Sequence, residues 1–451
     1  MKTKSLYNVN GIVALAGRSD VAGKLKAAVQ TMSHRAWNGY QYFDGRTWSR
    51  DGLSPGSTFG YAICQSSHEP PNDGQLPIHG ELYQDLEVKA QKEILKSQND
   101  LPAIGEGAYV LVEGDSNSLS FLRDPLGTRP LFAGKSPNLI GVASERKALR
   151  VLGFPNVSVI SPGRVQRIGF DNEQEKIMPR TLPKETSSPK APSAPEEVIR
   201  LLQRSIKLRL EGIGKLGIAF SGGLDSSLLS CIASQYSEVL LISVFTRGSH
   251  DQIKARSAAR ILDFELVEME VSKEELIKVG EKMICITEHD RTGDISIASI
   301  LHLASCMARR ERCERFFVGQ LADELFGGYH RYISTLQRLG ARATLSEMEA
   351  DVQNAHSANF ERDEAAISPC HELTLPYASL PLVTYCFSLP MEYKIDLESA
   401  RRKILLRDAA QLAGVPEEIA MAPKKALQYS SGASKVFRKH LNPHPPRGLS
   451  L

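Results

Sequence analysis

Apolar runs of strand length alternate with segments of helical periodicity in the C-terminal half of the chain. This alternation predicts a parallel sheet with helices on both faces, the doubly wound α/β arrangement. Ligands of such sheets bind at the carboxyl ends of the strands, so the residues that follow each strand are candidates for a site. The predicted strands are 216–220, 240–245, 264–270 and 316–318, and the predicted helices include 252–262 and 296–310.

The N-terminal part of the chain has a different pattern of apolar and polar residues. Short β-like runs follow one another closely, and glycine and proline punctuate them. This pattern predicts a two-sheet α+β domain or a sandwich-like domain. The predicted strands include Gly11–Ala16, Ala108–Glu113, Leu119–Leu122 and Leu131–Ala133, whereas the segment 333–440 is predicted to be mostly helical.

A proline-rich segment separates the two regions. Residues 181–198 contain four prolines and show no apolar periodicity. Both properties are typical of a semi-rigid linker. The sequence therefore predicts one domain over 1–180, a linker over 181–198 and a second domain over 199–451.

Charge and cysteine usage exclude several classes of function. The 451 residues include 55 basic and 52 acidic ones, for a net charge of +3, which gives no electrostatic case for nucleic acid or membrane binding. No apolar run reaches ~18 residues, so no membrane span is expected, and the N-terminus lacks the apolar core of a signal peptide. The seven cysteines are scattered without a Cys-x-x-Cys pair. This distribution favours a reducing compartment, and we expect a cytoplasmic protein.

The first candidate site follows the strand 216–220. The sequence there continues Ser-Gly-Gly-Leu-Asp-Ser-Ser and then takes up helical spacing. A glycine-rich turn at a helix N-terminus presents backbone N–H groups and a positive dipole end to a phosphate. Asp225 suits such a cradle only if a cation lies between it and the anion, so we predict that it is a Mg²⁺ ligand. The predicted phosphate-binding residues are Ser221, Gly222, Gly223, Asp225, Ser226 and Ser227.

A second motif follows the strand 316–318. The segment Gly319–Tyr329 again joins a strand end to a glycine and an acidic pair. Asp323 could supply a second carboxylate to the Mg²⁺ that Asp225 binds, since two hard oxygen ligands plus phosphate oxygens suit this ion. Gly319 and Val244, each near a strand end, complete the predicted nucleotide-binding set. Without the first motif, a helix N-cap followed by a turn would be the preferred interpretation.

The two motifs together resemble those of a known family. Ser221–Ser226 resembles the pyrophosphate loop of ATP pyrophosphatases, and Ala322–Tyr329 is similar to a block of asparagine synthetases and the related β-lactam synthetases. The resemblance implies ATP and Mg²⁺ as cofactors and an adenylylated carboxylate as intermediate. Pro423–Gly432 resembles the family's lysine-containing C-terminal block, which assigns the charge-stabilising lysine to Lys424, with Lys425 adjacent.

The N-terminal region resembles class II glutamine amidotransferases, which have the N-terminal nucleophile hydrolase fold. The resemblance rests on Asn10–Leu15, His34-Arg35, Arg123–Leu131, Ser144–Leu149 and Ser161–Gly163. The family's cysteine nucleophile corresponds to Asn10, which is no nucleophile and lies nine residues past Met1. His79 stands in place of a substrate-binding asparagine, and no arginine is visible around 59–63 to hold the glutamine carboxylate. We therefore predict that this domain does not hydrolyse glutamine, and Cys64 lacks the position to substitute.

The sequence also departs from the family at the position expected to supply a general base for the synthetase reaction. Gln320 occupies the position of a glutamate or tyrosine, and glutamine can orient a substrate but cannot titrate. Glu361, in a segment with Asp363 and Glu364, is a candidate for the missing base. Three acids in four residues are also typical of an exposed helix face.

Several functions are compatible with this sequence. The first is an ATP-dependent amide-forming ligase that joins a small-molecule carboxylate to ammonia or to a substrate amine, as asparagine synthetases do. An intramolecular β-lactam or lasso-peptide macrolactam cyclase is its close rival. A non-catalytic member of the family that serves as a scaffold and an RNA-modifying adenylylating enzyme are the others, the last disfavoured by the near-neutral charge. A homodimer is implied only by the family resemblance.

Overall fold

The computed structural model describes residues 9–65, 78–83, 106–171, 173–176, 194–247, 249–422 and 432–440. They form two compact units. Unit 1 contains the described residues up to 176 together with 356–364. Unit 2 contains the described residues from 194 to 355 and from 365 to 440.

Unit 1 is built on one extended sheet of mainly antiparallel strands. Alternate residues of β1, β4 and β9 pack with alternate residues of β6 and β7 in a common apolar core, so the strands enclose a sandwich-like interior. Val13 and Leu15, on the other face of β1, pack against the helix α1 (Ala22–Gln30). The strands are β1 (Val9–Gly17), β2 (Tyr40–Phe43), β3 (Trp48–Ser49), β4 (Phe59–Gln65), β5 (Ile78–Leu82), β6 (Gly107–Gly114), β7 (Ser118–Arg123), β8 (Phe132–Ser136), β9 (Leu139–Ala143), β10 (Val157–Val159), β11 (Val165–Gly169) and β12 (Glu173–Lys176).

The strand order of this sheet places β1 at its centre. The main path runs β10-β8-β9-β1-β5-β6-β7-β11-β12, and β4 pairs with both β1 and β2. Parallel pairing occurs between β1 and β5, where Val9 faces His79. The register between β1 and β4 shifts between Val9 and Gly11, so a bulge falls at Asn10. The short helix α2 (Arg146–Arg150) follows β9.

Unit 2 contains the predicted parallel sheet. Its four strands run in the order β15-β14-β13-β16, and all neighbouring pairs are parallel. The order reverses at β13, which lies between β14 and β16. Right-handed crossovers on either side of such a reversal place helices on both faces of the sheet. The strands are β13 (Lys215–Ala219), β14 (Glu238–Thr246), β15 (Leu266–Val271) and β16 (Arg315–Phe317), and a separate hairpin pairs β17 (Ile395–Asp396) with β18 (Arg401–Arg402).

Helices make up most of the rest of unit 2, as the sequence predicted for 333–440. A break at Gly340 divides the longest of them. In chain order the helices are α3 (Ala194–Arg209), α4 (Leu224–Ala233), α5 (His250–Leu262), α6 (Lys273–Thr287), α7 (Thr292–Arg310), α8 (Ala322–Phe326), α9 (His330–Ala355), α10 (Glu361–Ile367), α11 (Leu380–Ser388), α12 (Ile404–Leu412), α13 (Glu417–Ala420) and α14 (Ala433–His440). Within the described residues, no helix is both long and apolar enough to cross a membrane.

The structure corrects three expectations. The predicted linker 181–198 overlaps α3, which begins at Ala194 and buries Ala194 and Val198. Residues 356–364, predicted to belong to the second domain, group with unit 1. Glu361, Asp363 and Glu364 are 5%, 0% and 1% exposed, so the interpretation of these acids as an exposed helix face is wrong.

Candidate functional site

The loop between β13 and α4 begins the site. Phe220, just past the strand, donates its N–H to the carbonyl of Ile242 at 2.8 Å, which extends the pairing with β14 into the turn. Gly222 follows with φ of 69°, in the left-handed region. A Cβ at Gly222 would lie 2.6 Å from the carbonyl oxygen of Lys254. The turn therefore requires glycine there, for its backbone angle and for the close approach of α5.

Asp225 lies in the first turn of α4, next to this loop. The phenolic hydroxyl of Tyr377 donates to the backbone carbonyl of Asp225 at 3.0 Å, which fixes the turn from the side. The Oγ of Ser226 donates to the carbonyl of Gly223 at 3.3 Å. The Oγ of Ser227 is buried and has no hydrogen-bond partner in the structure. A buried hydroxyl without a partner in a strand-to-helix loop is a feature that a ligand could satisfy.

Asp323 reaches the site from the end of β16. Val318, the first residue after β16, donates its N–H to the carbonyl of Thr374 at 3.1 Å, so strand-like hydrogen bonding continues past the end of the strand. Leu321, which precedes α8, has φ of 78°. A bulky residue in the left-handed region stores strain, and such strain concentrates at functional sites. A Cβ at Gly328 would lie 1.9 Å from Oδ1 of Asp323, so the turn after α8 closes directly on this carboxylate.

Lys403 joins the two predicted metal ligands. Its Nζ lies 2.6 Å from Oδ1 of Asp225 and 2.6 Å from Oδ1 of Asp323. The lysine is buried, and its backbone has φ of 60° at the start of α12. Burial lowers the pKa of Lys403, while the Asp225 carboxylate acts in the opposite direction. Two carboxylates within direct ion-pair distance favour the protonated ammonium.

This arrangement fits a divalent cation. Oxygens from two strand-end carboxylates converge on one position, which the Lys403 ammonium takes in the structure. Carboxylate oxygens are the ligands that Mg²⁺ prefers, and phosphate oxygens complete its shell in nucleotide sites. Asp225 and Asp323 would hold the ion, and the ion would offset charge on the phosphates.

The other predicted site residues have varied positions. Gly319 lies against Asp225, with the Cβ of Asp225 3.5 Å from the position that a Cβ at Gly319 would take. Gln320 is the next residue and is half-buried. Val244 is buried within β14. Lys424 lies outside the described residues, but Gly432 at the end of the same block lies against Thr246, the last residue of β14.

Glu361 lies in unit 1, where it forms an ion pair with Arg146. Its carboxylate is buried, whereas the Arg146 side chain is partly exposed. A role for Glu361 as general base stays a prediction, and it would require this ion pair to open.

Unit 1 holds a second group of candidate residues around Asn10. The chain continues in β1 on the N-terminal side of Asn10, so its backbone nitrogen is a peptide amide and not an amine. The side-chain amide of Asn10 donates to the carbonyl of Arg35 at 3.2 Å. Cys64 is fully buried, and burial raises its pKa. A buried thiol that stays protonated is a poor nucleophile.

A buried network of charges surrounds Asn10. Arg35 is fully buried and binds Glu364 through two hydrogen bonds of 2.6 and 2.7 Å. Its Nε forms a second ion pair with Glu145. Burial favours the neutral form of Arg35, but Glu145 and Glu364 together raise its pKa. Both carboxylates are buried as well, so the network is charged and shielded from solvent.

His79 extends this network from β5. Its Nδ1 is 3.0 Å from the Oγ of Ser144, and its Nε2 is 3.4 Å from Glu364. Burial lowers the pKa of His79 to about 4. Burial alone would raise the pKa of Glu364, but Arg35 and His79 lower it to about 2. At neutral pH His79 is therefore uncharged, and it joins this network through its contacts with Ser144 and Glu364.

Sequence reasoning missed Lys403 and the partners of Arg35. Lys403 follows Arg401 and Arg402, and such a run is usually a solvated surface. One available signal was its position directly before the apolar-periodic segment 404–412, because a charged residue there can be buried.

The fold and the site define the class of protein. Unit 2 is a doubly wound α/β protein whose glycine loop and paired carboxylates lie at the carboxyl ends of neighbouring parallel strands, where such sheets bind ligands. The sequence model of the family described as Asparagine synthase matches residues 197–368 and 340–444, which together cover more than half of the 451 residues. The chain belongs to the asparagine synthase family.

Similar proteins span most of the chain. A protein of Methanocaldococcus jannaschii named putative asparagine synthetase [glutamine-hydrolyzing] 1 is 29% identical, over 82% of this chain and 80% of its own length. The probable asparagine synthetase [glutamine-hydrolyzing] of Schizosaccharomyces pombe is 25% identical, over 75% of this chain and 68% of its own. Among solved structures, the glutamine phosphoribosylpyrophosphate amidotransferase of B. subtilis matches 57% of this chain and 80% of its own at 12% identity, with a TM-score of 0.32.

Proposed function

We propose that this protein is an ATP-dependent amide-forming ligase that takes its nitrogen from ammonia or a substrate amine and not from glutamine. The observation that carries the proposal is the convergence of Asp225 and Asp323 on one cation position beside the Gly222 turn. Relatives named asparagine synthetase support the ligase class.

The reaction has two steps. A substrate carboxylate attacks the α-phosphorus of ATP, pyrophosphate leaves, and an acyl-adenylate forms. An amine then attacks the acyl carbon, and AMP leaves as the amide bond forms. Mg²⁺, when bound, offsets the negative charge of the phosphates and of the departing pyrophosphate.

The chain's own residues bind and orient the nucleotide. Backbone N–H groups of the loop 221–223 and the N-terminal end of α4 favour the pyrophosphate anion. Asp225 and Asp323 hold the divalent ion, and Lys403 neutralises this carboxylate pair when the ion is absent. We assign Lys424 to charge stabilisation at the reacting centre, and Gln320 to orienting the acceptor by hydrogen bonds rather than by proton transfer.

The nitrogen source follows from unit 1. A glutaminase of this family needs a nucleophile at position 10, and Asn10 offers only a carboxamide and a peptide nitrogen. Arg35 forms ion pairs with Glu145 and Glu364, so its guanidinium is engaged within the protein. Free ammonia with aspartate is the simplest substrate pair. A substrate that carries its own amine is the alternative.

The proposed function predicts carboxylate-dependent ATP–pyrophosphate exchange in the presence of Mg²⁺. Aspartate is the first acid to test, followed by a wider panel. Asp225→Asn should abolish the exchange because it removes a charged ligand of the ion. Asp263→Asn is the matched control, since Asp263 is exposed at the C-terminal end of α5. Absence of exchange with every acid, in protein that binds ATP, would contradict the ligase assignment and favour the non-catalytic family member.

A second prediction concerns glutamine. Incubation of the purified protein with glutamine should release no glutamate above the rate in buffer, with or without ATP and aspartate. Asn10→Cys should not restore the activity, because residue 10 lies within β1 and its nitrogen remains an amide. Glutamate release by the unmodified protein would overturn the assignment of the nitrogen source and leave the ligase assignment standing.

A further inference from the structure

A histidine and two cysteines of unit 2 come together away from the glycine loop. Cys306 and His302 are four residues apart on α7, so they lie on one face of the helix. Cys370, which follows α10, forms a disulfide with Cys306. One ligand atom from each of these three residues lies within 4.8 Å of the other two. No local motif marks this cluster, because its two cysteines are 64 residues apart.

The histidine of this cluster is oriented as metal ligands often are. Its Nδ1 lies 3.0 Å from the backbone carbonyl of Ala366, and its Nε2 lies 3.4 Å from the ammonium of Lys282. The carbonyl can only accept and the ammonium can only donate. These partners assign the proton to Nδ1 and leave a lone pair on Nε2. A histidine whose other ring nitrogen donates to a backbone carbonyl is the usual second-shell arrangement of a metal site.

We propose that His302, Cys306 and Cys370 bind a Zn²⁺-class ion when the disulfide is reduced. Two thiols of a reductant reduce the Cys306–Cys370 disulfide with two electrons and two protons, and they become a disulfide themselves. Binding of the ion by two thiolates then releases two protons to solvent. The disulfide and the metal site are therefore alternative states of the same residues.

The three ligands suit a divalent ion such as Zn²⁺, and they leave one coordination position of the ion open. Thiolate and imidazole are the ligands that zinc prefers, and two cysteines with one histidine leave a fourth place for water. Ligand atoms of a tetrahedral zinc site are about 3.5–3.8 Å apart, given metal–ligand distances of about 2.0–2.3 Å. The Sγ of Cys306 is 3.9 Å from both ring nitrogens of His302. Because the sulfur is equally far from the two nitrogens, binding of the ion through Nε2 requires these side chains to reorient, and Lys282 to turn away from Nε2.

The test is metal binding by the full-length protein under reducing and oxidising conditions. Reduced protein, kept in a phosphine reductant without oxygen, should bind one equivalent of Zn²⁺ in equilibrium dialysis. Co²⁺ in the same protein should give the visible absorption of tetrahedral coordination and a sulfur-to-metal charge-transfer band. Oxidised protein, with the disulfide intact, should bind neither ion at this site.

Variants separate this cluster from other thiols. His302→Ala and Cys370→Ser should each weaken Zn²⁺ binding by at least about tenfold, whereas Cys285→Ser, which changes an exposed cysteine outside the disulfide, should not. Cys370→Ser is the safer variant because Cys370 lies in a turn, and circular dichroism checks that each variant is folded. The proposal is overturned if the reduced protein binds no Zn²⁺, or if the folded Cys370→Ser variant binds it as tightly as the parent.

Discussion

Lys403→Met is expected to lower carboxylate-dependent ATP–pyrophosphate exchange by about 10²- to 10³-fold, because the Lys403 side chain holds Asp225 and Asp323 together in the arrangement that the ion and the phosphates need. The same change should make the stability of the protein depend on Mg²⁺. In the parent, the ammonium of Lys403 neutralises Asp225 and Asp323 at 2.6 Å from each. Without it, two carboxylates face one another, and a divalent cation that binds the folded form alone raises the free energy of unfolding.

The measurement is the unfolding temperature of parent and variant with and without Mg²⁺, alongside the exchange assay. Mg²⁺ should raise the unfolding temperature of Lys403→Met and leave that of the parent nearly unchanged. Lys278→Met is the matched control, because Lys278 is exposed on α6. If Lys403→Met exchanges pyrophosphate at the parent rate, Lys403 has no part in the reaction. If its unfolding temperature ignores Mg²⁺, the carboxylate pair is not a metal site.

Arg35→Met is expected to lower the free energy of unfolding of unit 1 by about 3–5 kcal/mol, as other broken buried ion pairs do. The reason is that Glu145 and Glu364, both buried, would lose their shared cation. Glu364→Gln in the Arg35→Met background should recover part of the loss. Arg200→Met is the control, since Arg200 makes an exposed pair with Glu197 and such pairs contribute about 0–1 kcal/mol.

The pH dependence of stability distinguishes this network from ordinary packing. The pKa of His79 and of Glu364 is lower in the folded protein, at about 4 and about 2. Groups with a depressed pKa stabilise the fold fully above their unfolded pKa, which is 6.5 for histidine and 4.5 for glutamate. His79 loses its contribution as the pH falls from 6.5 towards 4, and Glu364 as it falls from 4.5 towards 2.

Denaturant unfolding at several pH values tests this assignment. The parent should lose stability steadily on acidification below pH 6.5. In Arg35→Met the buried Glu364 has no guanidinium to keep it ionised, so its pKa should rise. Acid should then destabilise the variant less than the parent. Equal pH profiles for the two proteins would show that Arg35 does not set the ionisation of Glu364.

Local patterns predicted the strands and the loops that follow them. The apolar runs at 216–220, 240–245 and 316–318 correspond to β13, β14 and β16, because a buried parallel strand must be apolar on both faces. The glycine loop and the two aspartates follow from motifs of a few residues. Their convergence on a common position follows from the rule that ligands bind at strand carboxyl ends.

Contacts between residues far apart in the chain could not be predicted from the sequence. Lys403 is 178 residues from Asp225, and Arg35 is 329 residues from Glu364. No local pattern shows that a lysine or a glutamate will be buried by a partner so distant. The end of the predicted linker, 194–198, is helical for a local reason: Pro195 lies in the first turn of α3, where a helix tolerates proline because the N–H there has no intrahelical partner.

The return of residues 356–364 to unit 1 has a practical consequence for dissecting this protein. A gene fragment that starts at Ala194 would keep Glu361 and Glu364 but remove Arg146 and Arg35, which bind them. Residues 356–364 would then lose the unit in which they pack, so such a fragment should be prone to misfold and aggregate. Unit 1 is thus expected to be needed for folding, whether or not it carries a catalytic activity of its own.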